Sequence, residues 1–175
     1  MTPKELAQCT GARIDRATTF LPHIEAAAPD FEINTPERMA AFLAQVGHES
    51  GGLHWLVEIW GPSIAQTHYE GRADLGNTED GDGFRFRGRG LIQITGRANY
   101  AAASEALATD FVRSPEMLAE PDMAVRSAMW FWRSHGLNEL ADAGDFERIT
   151  RKINGGLNGE DGRVALWESA KEALA

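Results

Sequence analysis

The sequence is poor in whatever would staple or anchor a chain. Cys9 is the only cysteine among 175 residues, so neither an intramolecular disulfide nor a Cys/Cys metal site can form. No apolar run approaches the roughly 20 residues needed to span a bilayer. The opening Met1-Thr2-Pro3-Lys4-Glu5 also lacks the apolar core of a signal peptide. Synthesis in the cytoplasm is therefore expected, without stable membrane insertion and without a route of its own through the general secretory path. Basic charge is scarce too. With 17 Lys and Arg against 26 Asp and Glu, the formal charge is −9, which excludes the net basic face of a nucleic-acid binder.

The rest suits an ordinary globule. A chain of this length predicts one domain over 1–175 and buries roughly two thirds of its unfolded surface. Helix punctuation is clear at several points. Thr2-Pro3 opens a short capped helix, and Gly11 precedes a second helical segment that runs to about Ala27 and is closed by Pro29. Thr35-Pro36-Glu37 supplies a cap, a first-turn proline and an acidic first turn for the helix that ends at Glu49. Residues 51–96 are rich in Gly, Asp and Asn, with a β-prone run Leu91-Ile92-Gln93-Ile94, and read as a small lobe walling a cleft. Helical patterning returns from Asn99 to about Ala108, Pro121 to about His135, Phe146 to Ile153, and Gly162 to Ala173. Met123, Ala124, Ala128, Met129, Trp130, Phe131 and Trp132 make the 121–135 helix apolar on most sides, which marks it as large-lobe core. The expected fold class is mainly α, with a small loop and β lobe.

The chemistry concentrates between Gln45 and Glu58. Met39, Phe42, Leu43 and Val46 recur at helical spacing, and Glu49 falls on the same stripe. A carboxyl on a buried-facing stripe is either paired or held protonated, because desolvation disfavours the charged form. A protonated carboxyl near neutral pH can act as a general acid. Glu58 follows nine residues later, beyond the break at Gly51-Gly52, so the chain can fold back toward Glu49. Two carboxylates in unlike settings suggest an acid and a base. The plainer alternatives are a cap or salt bridge for Glu49 and a surface charge for Glu58. Glu70 is the rival for the second carboxylate, or else a partner of Arg72 or Arg89. Arg72, Arg85, Arg87, Arg89 and Arg97 form either an anion-facing patch or a set of ties that knit the loop together.

Metal and nucleotide motifs fail. An EF-hand register on Asp82-Gly83 would put Thr78 first and Arg89 twelfth. His48 and His54 lack the zincin spacing, and Gly88-Arg89-Gly90 lacks the Lys-Ser/Thr of a phosphate loop. No cofactor is expected.

Several segments together carry a family resemblance. They are His48-Glu49-Ser50-Gly51-Gly52-Leu53, Val57-Glu58, Tyr69-Glu70-Gly71-Arg72, Gly81-Asp82-Gly83, the run Arg87-Gly88-Arg89-Gly90-Leu91-Ile92-Gln93-Ile94-Thr95-Gly96-Arg97, Asn99-Tyr100 and Ile153-Asn154-Gly155-Gly156. Over about residues 35–165 the chain resembles the family 19 glycoside hydrolases, and within them the small phage and prophage endolysins rather than the plant chitinases. The resemblance implies a bilobal, helix-rich, lysozyme-like fold with the substrate cleft between the lobes. It makes Glu49 the general acid, Glu58 the general base, and Thr95 the hydroxyl that helps hold the attacking water. Tyr69, Gln93, Asn99 and Asn154 match residues lining the sugar subsites, and Arg163 matches a basic residue near the acid and base. His48 and Glu70, inside the matched motifs, join the substrate-binding candidates. Trp55 and Trp60 are candidate sugar platforms, whereas Trp130 and Trp132 read as core.

The implied reaction is inverting hydrolysis of a β-1,4 bond, with the two carboxyls about 6.5–9.5 Å apart to admit a water. No cysteines flank Tyr69, no appended sugar-binding module is evident, and several cleft-extending loops are missing. These departures favour peptidoglycan glycan strands as the substrate of a muramidase, with chitin as the alternative and non-catalytic glycan binding as a second alternative. The expected setting is a monomer that reaches the periplasm and cell wall after a separate holin-like protein opens the membrane.

Overall fold

The computed structural model describes residues 1–175. Ten α-helices, linked by loops and 3₁₀ turns, surround two separate apolar clusters. Helix α1 (Pro3–Thr10) starts where the sequence places it: Thr2 and Glu5 close a reciprocal capping box, and Gly11 ends the helix in the left-handed conformation. Helix α2 (Ile14–Ala27) carries Pro22 within it, and the chain then passes Pro29 in a 3₁₀ turn, Ala28–Phe31.

Helix α3 (Pro36–Glu49) is the central element. Thr35 Oγ1 accepts from the Arg38 amide and fixes its start. All eight residues from Ala40 to Gly47 are buried, so α3 is enclosed on every side rather than on one stripe. Helices α1, α8 (Leu137–Asp142) and α10 (Glu160–Ala173) pack around it. The approach of α1 is close: a methyl at Gly47 would stand 2.5 Å from the Thr10 carbonyl oxygen. Helix α7 (Pro121–Ser134) packs on α2, and its buried Trp132 meets Phe42 of α3 edge to face at 5.5 Å. Helix α9 (Phe146–Asn154) ends at a left-handed Gly155, as its Asn-Gly-Gly signal predicts. Helix α10 begins two residues earlier than the expected start at Gly162, and the short α8 was not anticipated.

The small lobe holds α4 (Ile64–Thr67), α5 (Asp82–Arg85) and two isolated antiparallel bridges, Val57 with Arg89 and Arg89 with Ile94. The run Leu91–Ile94 is not the strand its β-prone residues suggest. Arg89 and Ile94 exchange both backbone hydrogen bonds, at 3.1 and 2.8 Å, and the residues between them form a tight turn with Gln93 at φ 55°. That turn sends Leu91 into the large core and Ile94 into the small one. The small core also takes in Tyr100 and Ala103 of α6 (Arg97–Leu107), together with Phe86, Phe111 and Leu118, so it extends past residue 96.

The arginines knit this lobe. Arg85 donates to the carbonyls of Val112 and Arg113, and Arg87 donates to that of Phe84 while lying 4.1 Å over its ring. Arg89, only 6% exposed, bonds the Arg85 carbonyl and the Tyr100 hydroxyl. Arg97 holds Asp82 and Glu79, and Arg72 pairs with Asp74. No helix is long and apolar enough to cross a membrane.

Candidate active site

Glu49 closes α3, and the chain turns sharply after it. Ser50 Oγ donates to the Val46 carbonyl at 2.6 Å and accepts from the Leu53 amide at 2.8 Å. Gly51 and Gly52 then take left-handed φ values of 59° and 72°. A methyl at Gly52 would also press on the Gly11 carbonyl oxygen at 2.8 Å, so the turn is wedged against the end of α1.

The Glu49 carboxylate is paired, one of the two states expected for it. Arg163 of α10, 2% exposed, donates from Nη2 to Glu49 Oε1 at 2.5 Å and from Nη1 to Gln45 Oε1 at 2.6 Å. His48 lies against Gly159 and Gly162 at the start of α10. Burial, followed by the Arg163 charge, lowers its pKa, which favours the neutral ring. His48 thus packs the α3–α10 joint beside Glu49.

Glu58 sits in the small lobe, gripped from several directions. Its amide donates to the Gly88 carbonyl at 2.8 Å, and the Gly88 amide donates to its Oε2 at 2.9 Å. Oε1 accepts from Gln66 Nε2 at 2.9 Å and from the Tyr69 hydroxyl at 3.4 Å. Burial, then the charge of Glu58 and this hydrogen bond, raise the Tyr69 pKa, so the phenol stays a donor. Gln66 was not singled out from sequence, yet its buried side chain also bonds the Ile59 carbonyl and the amides of Gly61 and Ser63. The Ser63-x-x-Gln66 capping box that starts α4 is the one sequence signal that could have drawn attention to it.

Glu70 is a different case. Its Oε1 accepts from the Gly81 amide at 2.6 Å and its Oε2 from the Gly83 amide at 2.8 Å. Both oxygens clamp the loop that opens α5, so Glu70 pairs with neither Arg72 nor Arg89. As rival for the second carboxylate, Glu70 is held by two backbone amides, whereas Glu58 is held by one together with the side chains of Gln66 and Tyr69.

Gln93, Thr95 and Asn99 come together along a cavity of about 300 Å³ whose apolar wall includes Trp130, Phe131 and Ile153. Gln93 Nε2 donates to the Gly90 carbonyl, Thr95 Oγ1 to that of Gln93 at 2.9 Å, and Asn99 Nδ2 to that of Thr95 at 2.7 Å. Asn154 follows Ile153 at the end of α9, and its Nδ2 is buried without a partner. Trp130, expected as core, is partly exposed on this cavity, while Trp132 is buried as expected. Neither carboxylate lines the cavity. Gly88 joins the two regions, since a methyl there would stand 2.8 Å from Gln93 Oε1 and 3.3 Å from Glu58 Cβ. Of the proposed platforms, Trp55 is half exposed and Trp60 packs edge-on to Phe84 at 5.4 Å.

A helical large lobe whose central helix ends in one glutamate, joined to a loop-built lobe that grips a second, defines a glycoside hydrolase of lysozyme-like fold. The chain belongs to glycoside hydrolase family 19: the family model described as chitinase class I matches residues 9–145. It is 37% identical to a glycosyl hydrolase family 19 domain-containing protein of Haemophilus influenzae, covering 75% of this chain and 78% of that protein. It is 38% identical to an endochitinase of Arabidopsis thaliana, covering 75% of this chain but 43% of that protein. The chain therefore spans less than half the plant protein's length. A bacterial family 19 chitinase superposes with a TM-score of 0.80 at 26% identity, over 99% of this chain and 94% of that one. Chitinase C of Streptomyces griseus shares the fold with a TM-score of 0.77, over 76% of its own chain.

Proposed function

We propose that this enzyme cleaves the β-1,4 bonds of peptidoglycan glycan strands by inversion, as an endolysin-type muramidase. The observation that carries the reading is the pair of carboxyls held in unlike ways: Glu49 by a buried guanidinium, Glu58 by the Gly88 amide, Gln66 and Tyr69. A glycosidic oxygen is a poor leaving group and must receive a proton as the bond breaks. Glu49 supplies it, and Glu58 takes a proton from the water that attacks the opposite face of the sugar. Three donors fixed on Glu58 hold its carboxylate in one orientation. Thr95, Gln93, Asn99 and Asn154 then line the path of the sugar chain.

The preference for peptidoglycan rests on the sequence, in which no cysteines flank Tyr69. The chain matches 94% of a bacterial family 19 chitinase, 76% of the Streptomyces chitinase and 43% of the Arabidopsis endochitinase, so length alone does not separate the two substrates. Delivery through a lesion made by a separate holin-like protein belongs to the same proposal. Chitin is the second reading, favoured by the names of the bacterial and plant relatives.

The test is incubation with purified Gram-negative sacculi and, in parallel, with soluble chitin oligomers, with products identified by mass and reducing-end sugar. Muramic-acid reducing ends from sacculi are expected. Products from chitin alone would overturn the muramidase reading in favour of a chitinase, and binding without products from either would overturn both.

A further inference from the structure

We propose that Gln45 is a positioning residue for the acid: through Arg163 it aims the Glu49 carboxyl from one helical turn away. This rests on Glu49 acting as the general acid, whichever glycan is cut. Gln45 and Glu49 are four residues apart on α3 and so lie on one face of it. Arg163 reaches across from α10 and spans both, placing one arm of its guanidinium on Gln45 Oε1 and the other on Glu49 Oε1. Its third donor, Nε, has only a long contact of 3.4 Å with the Asn158 carbonyl, so these two acceptors set its orientation.

The Gln45 amide is itself oriented. It is fully buried, and its Nε2 donates to Thr150 Oγ1 at 2.9 Å. The Thr150 hydroxyl spends its proton on the Phe146 carbonyl, so it can only accept from Gln45. With Nε2 held there, Oε1 must face Arg163; the flipped amide would set NH₂ against the guanidinium. Arg163 thus donates both ways: through Gln45 and Thr150 its first arm is tied to the Phe146 carbonyl, and its second arm is left on Glu49 Oε1. That leaves Oε2 to carry the proton toward the glycosidic oxygen. A reacting group displaced by about 1 Å can lose on the order of a hundredfold in rate, which is why a buried amide beyond hydrogen-bond reach of the substrate bears on the reaction.

Few other ionisable groups act on this corner. His48 lies beside it with a lowered pKa. On α10 the half-buried Glu160 lies one turn before Arg163. On α1 Cys9 is buried and Glu5 caps its own helix, and on α8 Asp142 is held by Arg38. None of these joins the hydrogen-bond series.

The test compares Gln45→Met, Gln45→Glu and Thr150→Val with the wild type and with Glu49→Gln, on whichever glycan the wild type cuts. In Gln45→Met, which keeps the bulk and removes the acceptor, kcat is expected to fall about tenfold with KM within about twofold. In Gln45→Glu the new carboxylate competes for Arg163. The alkaline limb of the pH–rate profile, which reports loss of the acid's proton, is then expected to rise by about one unit. A merely structural Gln45 would lower the melting temperature and leave that limb in place. If the Gln45 variants fail to fold, Thr150→Val, which only frees the amide to turn, is expected to cost about twofold to fivefold in kcat. Folded variants with wild-type kcat and an unmoved limb would overturn the proposal while a dead Glu49→Gln leaves the acid assignment standing. An active Glu49→Gln would instead overturn the assignment of the acid itself.

Discussion

Glu58 and Gly88 hold each other twice: the Glu58 amide donates to the Gly88 carbonyl at 2.8 Å, and the Gly88 amide donates to Glu58 Oε2 at 2.9 Å. One glycine therefore fixes both the backbone and the carboxylate of the proposed base. It also touches the side chain of Gln93 on the cavity wall, where an added methyl would stand 2.8 Å from Oε1.

Gly88→Ala is thus expected to push on Gln93 and Glu58 together. The expected cost is about 1–3 kcal/mol of stability and about tenfold to a hundredfold in kcat. Thermal melts and steady-state kinetics on the purified variant check both, and wild-type kcat would show that the contact does not position the base.

The three glutamates should separate cleanly. Glu49→Gln and Glu58→Gln are each expected to lower kcat by about 10²–10⁴-fold, and each also to lose about 1–3 kcal/mol of stability, because Arg163 loses its charge partner or an NH₂ group meets the donors on Glu58. Glu70→Gln should lose stability without the loss of kcat. One oxygen facing the Gly81 or Gly83 amide becomes an NH₂ group, which costs about 1 kcal/mol of stability and leaves kcat within about threefold if no acid or base has been lost. A larger kcat loss at Glu70 than at Glu58 would exchange their roles.

Cys9 predicts how the protein fails in alkali. Burial pushes its thiol up to about 11, above the ordinary cysteine value, so folding favours the neutral form. The unfolded chain gives up this proton first as pH rises. The stabilisation is therefore complete below about pH 9 and disappears as pH climbs through about 11, a loss of about 2–3 kcal/mol by linkage. Tyr100, pushed up to about 12 by burial, adds a similar loss at higher pH. Cys9→Ala, whose side chain cannot ionise, should flatten the fall in melting temperature between pH 9 and 11. An unchanged slope would show that the thiol is not what titrates.

Helix starts were legible because capping chemistry is local: Thr2 with Glu5 and Thr35 with the Arg38 amide act within three residues of each other. Glu49 was legible for the same reason, since helical spacing alone puts it on the stripe of Phe42 and Val46. The Leu91–Ile94 run misled because β-branched residues fit either a strand or a turn feeding two cores. Which one forms depends on the bridge that Arg89 makes with Ile94.

By itself, then, the sequence determined a mainly helical chain, the residues that carry the family resemblance, and the end of α3 as the place where an acid would sit. Only the tertiary structure decided what surrounds those residues. Arg163 reaches Gln45 across 118 positions and Gly88 reaches Glu58 across 30, while Glu70 is captured by Gly81 and Gly83 rather than by the arginines near it in sequence. Capping and periodicity act over one or two turns and leave their mark in neighbouring letters. Hydrogen bonds between distant residues depend on how α3, α10 and the small lobe pack, and no local spacing encodes that.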